Sequence, residues 1–255
     1  MTNLFDITGK KIIFTGASGG LGKGMAEGLL EAGAEVAMIG ASAKCVQQAE
    51  EYRAKGWKAY GLQCDLSSRQ AAEEGFGQAL ELLGGELDVL VNAAGIQRRH
   101  KSEEFPLEDW DAVIQVNLTV PFLLCQLAGR KMIEQGRGGK IINFASMLSF
   151  FGGFTVPAYA ASKGGIAQMT KALCNEWAKY GITVNAIAPG YMDTPMNAAL
   201  TDPANPRFKE ISDRIPAGRW GTAEDMKGIG IFLSSAASDY INGAVIPVDG
   251  GYLVK

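Results

Sequence analysis

A tyrosine and a lysine stand four residues apart in the segment AYAASKGG, residues 158–165, and their neighbours are alanine, serine and glycine. Residues at this spacing share one face of a helix, so Tyr159 and Lys163 should project side by side. A free tyrosine has a pKa near ~10, and a neighbouring ammonium favours its ionised form. We therefore expect Lys163 to lower the pKa of Tyr159 and make it a proton-transfer group. The small neighbours would let a flat cofactor or a partner helix come close.

A glycine-rich turn, TGASGGLG, begins at Thr15 and follows the first apolar run of the chain. Its glycines at 16, 20 and 22 follow a G-x-x-x-G-x-G spacing. Glycines in such a turn let backbone N–H groups approach a pyrophosphate, and the positive end of the following helix dipole points at it. The position of the turn, between a first strand and a first helix, predicts a dinucleotide site.

The residues after the second predicted strand bear on the choice between NAD and NADP. An acidic residue there would bind the ribose hydroxyls and repel a 2′-phosphate. Here the chain reads AMIGASAK, in which Gly40 and Ala41 carry no such group and Ser42 and Lys44 could accept a phosphate. These residues leave both cofactors open. After the third predicted strand, Asp65 could meet the adenine, cap the following helix, or do both.

Seven short apolar runs predict the strands that must position these residues, and longer amphipathic segments between them predict helices. The predicted strands are 11–15, 35–39, 58–64, 87–93, 140–145, 182–188 and 243–248. This alternation predicts one α/β domain over residues 1–255, a doubly wound Rossmann fold with a parallel sheet and helices on both faces. The longest irregular stretch holds four of the nine prolines and predicts a mobile substrate loop at about 190–214.

The composition excludes several other kinds of site and partner. A net charge of −3 and a pI near 5.4 argue against a nucleic-acid binder. The four scattered cysteines fit reduced thiols, and His100 is the only histidine, so we expect no metal site. The first residues lack the apolar core of a signal peptide, and no apolar run approaches the ~20 residues of a membrane span. We expect a cytoplasmic protein without a membrane partner.

Taken together, the motifs resemble the short-chain dehydrogenase/reductase family over essentially the whole chain. TGASGGLG resembles the family's TGxxxGxG turn, and NAAG at 92–95 resembles its NNAG segment with Ala93 for the second asparagine. The catalytic tetrad of the family is matched by Asn117, Ser146, Tyr159 and Lys163. The resemblance implies a seven-stranded sheet and NAD or NADP as cofactor, with NAD slightly favoured. The cofactor contacts it implies are Gly16, Ser18, Gly20, Leu21, Gly22, Ser42, Asp65, Leu66, Asn92, Ala93, Gly95, Tyr159, Lys163, Pro189, Gly190 and Thr194.

The resemblance also implies a role for each member of the tetrad. Tyr159 would exchange a proton with the alcohol or carbonyl oxygen, and Ser146 would hydrogen-bond that oxygen. Lys163 would lower the pKa of Tyr159 and hold the nicotinamide ribose. Asn117 would fix a backbone carbonyl and a water that links Lys163 to solvent.

Several stretches outside the general motifs, among them NAAGIQRRHKSEEF and SSAASDYINGAVIPVDGG, resemble the 2-deoxy-D-gluconate 3-dehydrogenases, also called 2-dehydro-3-deoxy-D-gluconate 5-dehydrogenases. This implies a deoxy-keto sugar acid as substrate. Arg98 and Arg99 could bind its carboxylate, although they could instead pair with Glu103, Glu104 and neighbouring acids or lie in a subunit interface. The expected substrate contacts are Ser146, Tyr159, Arg98, Arg99, Met147 and Phe154. The segment VDGGYLVK and the predicted helix 157–180 resemble elements that build homotetramers.

Four other functions fit parts of the sequence. A gluconate 5-dehydrogenase or a 3-oxoacyl carrier-protein reductase would share the fold and the tetrad, although the acidic pI disfavours a carrier-protein partner. A dinucleotide-sensing regulator would bind the cofactor without turnover. A nucleotide-binding methyltransferase would leave Tyr159, Lys163 and Ser146 unexplained.

Overall fold

The computed structural model describes residues 3–255 and contains one seven-stranded sheet. All seven predicted strands are present, and β4 is shorter than predicted because pairing with β1 and β5 begins at Val89. The strands are β1 Lys11–Thr15, β2 Glu35–Gly40, β3 Lys58–Gln63, β4 Val89–Asn92, β5 Gly139–Phe144, β6 Ile182–Pro189 and β7 Val245–Val248.

The sheet is parallel throughout, in the order β3-β2-β1-β4-β5-β6-β7. Strand β1 therefore lies between β2 and β4, and the chain changes direction across the sheet at the β1–β4 pair. In this pair Thr15 lies opposite Asn92. Ligands of doubly wound sheets bind at this point, beyond the carboxyl ends of the strands. The predicted α/β fold is confirmed.

Helices cover both faces of the sheet, because successive residues of a strand point to opposite sides. Ile12 and Phe14 of β1 pack into the core cluster that contains Met25, whereas Ile13 packs into the cluster that contains Phe76. The helices are α1 Gly20–Glu31, α2 Lys44–Ala54, α3 Arg69–Leu82, α4 Leu107–Ile114, α5 Val120–Gln135, α6 Pro157–Trp177, α7 Ala198–Thr201, α8 Pro206–Arg214 and α9 Lys227–Ser234.

The segment predicted as an irregular loop at about 190–214 is partly helical, so that part of the prediction is wrong. A 3₁₀ turn at Pro195–Asn197 leads into α7, and α8 follows. Proline is well suited to the first position of a helix, and Pro206 begins α8 after Asn205, whose side chain accepts a hydrogen bond from the Arg207 N–H at 2.9 Å. Two of the four prolines that suggested irregular chain, Pro195 and Pro206, thus begin helical turns.

A π-helical turn at Gln115–Thr119 joins α4 to α5, so that Leu107–Gln135 forms one continuous helix. This helix is long and apolar enough to span a membrane, which the sequence prediction did not anticipate. Half of its most apolar 18-residue window is buried inside the protein, as is usual for the core helix of a folded domain. Exposed apolar side chains on it include Leu107, Phe122 and Ile133.

Candidate active site

The glycine turn between β1 and α1 is packed against the end of β4. Gly16 has a φ of +77°, and a Cβ there would lie 2.7 Å from the backbone nitrogen of Ala94. A Cβ on Gly22 would overlap the carbonyl oxygen of Gly16. The Thr15 hydroxyl accepts a hydrogen bond from the Ala94 N–H at 3.3 Å. Both glycines are therefore required by close backbone approach, as the pattern predicts for a pyrophosphate turn.

At the far end of the cleft, the residues that would face an adenosine are Gly40, Ala41, Lys44, Asp65 and Leu66. Ser42 does not line the cleft, so its predicted contact is not supported by its position. Asp65 Oδ1 instead accepts hydrogen bonds from the Ser67 N–H and hydroxyl at 2.9 and 2.7 Å, which lower the pKa of Asp65. The N-cap of α3 is Ser68, so the prediction that Asp65 caps this helix is wrong.

Asn92 also lies away from the cleft, although the sequence places it among the cofactor contacts. Its side chain is buried and donates to Asn143 Oδ1 at 3.0 Å and to Cys125 Sγ at 3.3 Å. It therefore ties β4 to β5 and α5 beneath the site. The residues that follow, Ala93 and Gly95, do line the cleft.

Tyr159 and Lys163 lie side by side on the first turns of α6, which begins at Pro157. The Lys163 ammonium lies 5.6 Å from the centroid of the Tyr159 ring. Lys163 is only 5% exposed, and its Nζ donates to the carbonyl oxygen of Phe144 at 2.6 Å. The predicted pair is confirmed as a geometry, and both residues line the cleft.

Burial controls the protonation of this pair in the structure. It raises the pKa of Tyr159, and a hydrogen bond with the Ser146 side chain lowers it in part. Burial also lowers the pKa of Lys163 to about 8. In this structure the Lys163 ammonium is directed at Phe144 and Ser146 supplies the contact that lowers the pKa of Tyr159, so the lowering by Lys163 stays a prediction.

Ser146 is held by a capping box at the end of β5. Its hydroxyl accepts from the Leu148 N–H at 3.2 Å, and its own N–H donates to Ser149 Oγ at 3.3 Å. The Ser149 hydroxyl in turn donates to the Lys163 carbonyl oxygen at 2.7 Å. One chain of hydrogen bonds therefore fixes Ser146 relative to α6 and the Tyr159–Lys163 pair.

Asn117 is buried in the π-helical turn between α4 and α5, and it lies behind the cleft. Its amide binds both main-chain polar groups of Ile96 and donates to Ser162 Oγ at 3.3 Å. Helix α6 and the segment after β4 are joined through this one side chain. The π turn was not predicted, because no sequence pattern distinguishes it from an ordinary helix; such turns are frequent at functional sites.

The predicted substrate residues Arg98, Arg99, Met147 and Phe154 all line the cleft. Arg98 Nε donates to Asp109 at 3.2 Å, and His100 Nε2 lies 2.7 Å from the other oxygen of the same carboxylate. The alternative that the basic segment pairs with neighbouring acids therefore holds for Arg98, but its partner is Asp109 on the first turn of α4 and not Glu103 or Glu104.

The cleft has a volume of about 960 Å³ and runs from Gly40 past the glycine turn to Tyr159 and α8. The predicted contacts Gly16, Ser18, Gly20, Leu21, Pro189, Gly190 and Thr194 line it as well. A Cβ on Gly190 would lie 2.5 Å from the Cα of Asp249, so this glycine is also required by packing. The cradle of glycines and the length of the cleft fit an extended dinucleotide.

Sequence reasoning missed several residues of the cleft wall, among them a charged group on α8 and one aromatic residue near the end of the chain. Arg207, Glu210 and Arg214 come from α8, and Tyr252 follows β7. Their common face could have been found from spacing, since positions 207, 210 and 214 repeat at three and four residues. The prolines hid this pattern by suggesting an irregular loop.

Comparisons with known proteins agree with this geometry. The family described as enoyl-(acyl carrier protein) reductase matches residues 16–253. A relative from Dickeya dadantii (strain 3937), named 2-dehydro-3-deoxy-D-gluconate 5-dehydrogenase, is 46% identical over 253 residues, which are 99% of either chain.

Two solved structures share the whole architecture. One is a candidate 2-deoxy-D-gluconate 3-dehydrogenase of Agrobacterium tumefaciens with bound NADP, with 47% identity, a TM-score of 0.92 and full coverage of both chains. The other is a gluconate 5-dehydrogenase of Burkholderia cenocepacia J2315 in complex with NADP and tartrate, with 39% identity, a TM-score of 0.91 and coverage of 99% of this chain and 98% of the other. The chain belongs to the short-chain dehydrogenase/reductase family.

Proposed function

We propose that this protein is an NAD(P)-dependent oxidoreductase that interconverts a secondary alcohol and a ketone on a deoxy-keto sugar acid of the 2-deoxy-D-gluconate or 2-dehydro-3-deoxy-D-gluconate type. The observation that carries the proposal is that Tyr159, Lys163 and Ser146 line the same cleft as the glycine turn. The sugar-acid substrate is supported by the names of the relatives from Dickeya and Burkholderia.

The bound nicotinamide would supply or accept the hydride, and the protein's task is to hold and polarise the substrate. The glycine turn and Asp65 would hold the pyrophosphate and the adenosine. Pro189, Gly190 and Thr194 would flank the nicotinamide. The Thr194 hydroxyl makes no helix-capping bond, which leaves it available.

Tyr159 would give a proton to the substrate oxygen in reduction and take it back in oxidation. Ser146 would donate to the same oxygen, and its hydrogen bond with Tyr159 makes the ionised tyrosine easier to form. Lys163 would hold the nicotinamide ribose through its ammonium. Asn117 would keep the Ile96 main chain in place beside the cleft.

The substrate would lie between Ser146 and Tyr159 on one side and the walls formed by Met147 and Phe154 on the other. Arg98 and Arg99 remain candidate carboxylate contacts. To bind a substrate carboxylate, Arg98 would have to release Asp109 or bind both carboxylates, since it now shares Asp109 with His100. Arg99 makes no hydrogen bond or ion pair with any residue in the described range 3–255.

For the cofactor, we propose that the site accepts NADP as well as NAD. No acidic residue follows β2, and Lys44 lines the cleft where a 2′-phosphate would lie. The related structures from Agrobacterium and Burkholderia contain NADP. The slight preference for NAD expected from the resemblance has no support from these features.

A gluconate 5-dehydrogenase is the second candidate, because the Burkholderia structure carries that name and holds tartrate, a hydroxy diacid. A carrier-protein reductase has support in the description of the matching family, but the acidic chain lacks the net positive charge that an acidic carrier would favour. A dinucleotide-sensing regulator would need no catalytic tetrad.

We also propose a homotetramer in the cytoplasm, without nucleic-acid or membrane partners. The exposed apolar side chains Leu107, Phe122 and Ile133 support an assembly in which the continuous α4–α5 helix packs on a second copy. Size-exclusion chromatography with light scattering would give the number of subunits. A monomer at micromolar protein concentration would contradict the proposed assembly.

The function is tested by following absorbance at 340 nm with NADH and NADPH against deoxy-keto acids, 5-ketogluconate, acyl thioesters and neutral ketoses. We expect turnover of a deoxy-keto sugar acid that is lost in Tyr159→Phe. Turnover of 5-ketogluconate alone would favour the second candidate. Cofactor binding without turnover of any substrate would favour the regulator.

A further inference from the structure

We infer that Arg214, at the end of α8, binds the carboxylate of the acidic substrate. The inference rests on the proposed function in one respect, that the substrate is a sugar acid. Arg214 lines the same cleft as Tyr159 and Ser146, and neither the sequence motifs nor the tetrad assigns it a role.

Two aromatic rings hold the Arg214 guanidinium. Its central carbon lies 4.3 Å from the centroid of the Tyr252 ring and 6.0 Å from that of Phe151. A guanidinium that lies over aromatic rings at such distances can still direct N–H groups at a planar anion. An arginine packed in this way has lost part of its freedom before a ligand arrives, which favours binding.

The donors of Arg214 are mostly unused within the protein. Its hydrogen bond from Nη2 to the main-chain oxygen of Lys255 is long at 3.5 Å, and the Tyr252 hydroxyl, whose pKa it lowers in part, is its other hydrogen-bond partner. No Asp or Glu side chain among residues 3–255 forms an ion pair with it. Arg219, only five positions away, makes two short bonds to Asp225 at 2.6 and 2.8 Å, and Arg98 is bound to Asp109. Arg214 thus differs from the paired arginines in having donors to offer.

The side chains next to Arg214 connect it to the reacting end of the cleft. Ile211 and Ile215 are 2% and 5% exposed, and they pack in one cluster with Met147 and Tyr252. Met147 directly follows Ser146. Helix α8 is therefore anchored on the segment that carries a tetrad residue, and Arg214 is held at a fixed wall of the substrate end.

The other charges near this wall leave the region favourable to an anion. Arg207 and Glu210 share the cleft-facing side of α8 with Arg214, so the helix contributes two positive charges and one negative charge. Arg99 is the competing carboxylate ligand. Arg99 and Arg214 are both exposed, but Arg99 has no aromatic ring or hydrogen-bond partner in residues 3–255 to orient it, and so it would lose more freedom on binding.

Two measurements test the inference. Calorimetry on the NADP-loaded protein would compare L-tartrate with its neutral diamide in wild type, Arg214→Gln, Arg214→Lys and Arg99→Gln. Kinetics would compare a deoxy-keto sugar acid with a neutral ketose. Arg219→Gln is the matched control, because it removes a nearby arginine that lies outside the cleft.

We expect Arg214→Gln to weaken tartrate binding and to raise KM for the sugar acid by about 10- to 100-fold, with little change for the diamide and the ketose. Arg214→Lys should recover only part of the loss, because an ammonium cannot bind both carboxylate oxygens in one plane. The control should behave as wild type.

Equal losses for acidic and neutral ligands would overturn the inference in favour of a structural role, and a loss confined to Arg99→Gln would assign the carboxylate to that residue. Tartrate binding that depends on Arg214 in a protein that turns over no sugar acid would keep the anion site and reject the proposed function. Sugar-acid turnover that is unchanged in Arg214→Gln would keep the proposed function and reject the carboxylate site at Arg214.

Discussion

Asn117 binds both main-chain polar groups of Ile96: its Oδ1 accepts from the Ile96 N–H at 2.8 Å, and its Nδ2 donates to the Ile96 carbonyl oxygen at 2.9 Å. The Asn117 side chain thus makes the two hydrogen bonds to Ile96 that a neighbouring strand would make if the sheet continued past β4. The amide carries its donor and its acceptor on two separate atoms of one short neutral side chain, which suits asparagine to bind both groups of one residue.

Asn117→Ala is expected to lower the free energy of unfolding by about 2 kcal/mol, because the two polar groups of Ile96 lose their partners. Urea unfolding would measure the change. Asn117→Asp is the matched variant: it keeps the acceptor but sets a buried carboxylate against the Ile96 carbonyl oxygen, so it should lose at least as much stability as Asn117→Ala. Wild-type stability in Asn117→Ala would show that water replaces the side chain.

The buried ammonium of Lys163 makes stability depend on pH. Burial lowers its pKa from 10.5 to about 8, so between these values the unfolded chain binds a proton that the native protein has released. Stability is therefore expected to rise with pH across this window, by on the order of 3 kcal/mol from this group. Lys163→Met should abolish that component of the rise. The measurement is the free energy of unfolding of wild type and Lys163→Met as a function of pH. The two curves would have the same slope between pH 8 and 10.5 if the ammonium were well solvated.

Ser146→Ala should move the activity profile of alcohol oxidation to higher pH. The Ser146 side chain lowers the pKa of Tyr159 against the effect of burial, so its loss leaves the tyrosine harder to ionise. We expect kcat/KM to fall by about 100-fold at neutral pH, since the hydroxyl that we propose as a donor to the substrate oxygen is lost as well. Ser146→Thr keeps the hydroxyl and should retain the wild-type midpoint. A profile that falls in height without moving would assign Ser146 to substrate contact alone.

The glycine turn allows a separation of folding from cofactor binding. Gly22→Ala should destabilise the protein by about 3 kcal/mol without any cofactor, because its Cβ would overlap the Gly16 carbonyl oxygen. Gly19→Ala has open space around its Cβ and an extended backbone with a φ of −157°, so its stability should stay within about 0.5 kcal/mol of wild type. Gly19 lines the cleft, and its variant should lose cofactor affinity instead. Thermal unfolding with and without NADP would separate the two effects.

Reversing the charge at Lys44 should change cofactor choice. Lys44→Glu is expected to reduce the affinity for NADP by about 10-fold and to leave that for NAD nearly unchanged, because only NADP carries a 2′-phosphate. The affinity of Lys44→Gln for NADP should fall between those of wild type and Lys44→Glu. High salt should reduce the differences in NADP affinity among these proteins, because Lys44 is exposed. Equal effects on both cofactors would place Lys44 outside the phosphate site.

The strands and the glycine turn could be predicted because local sequence determines them. Short continuous apolar runs mark buried parallel strands. Gly16 and Gly22 occupy positions where no other residue fits. The partners of polar side chains could not be predicted in the same way. Asn92 faces Asn143, and Arg98 and His100 share Asp109, only because distant segments meet in the folded sheet. The helical character of 195–214 was missed because proline both interrupts helices and begins them.

The order in which the chain is synthesised separates the two halves of the cleft. The turn at Gly16 is completed by Ala94 of the segment after β4, whereas the wall that carries Arg214 is completed by Tyr252, much later in the chain. A chain that ends between Thr194 and Tyr252 would contain every residue proposed to hold the dinucleotide, while the aromatic ring that holds Arg214 would be absent.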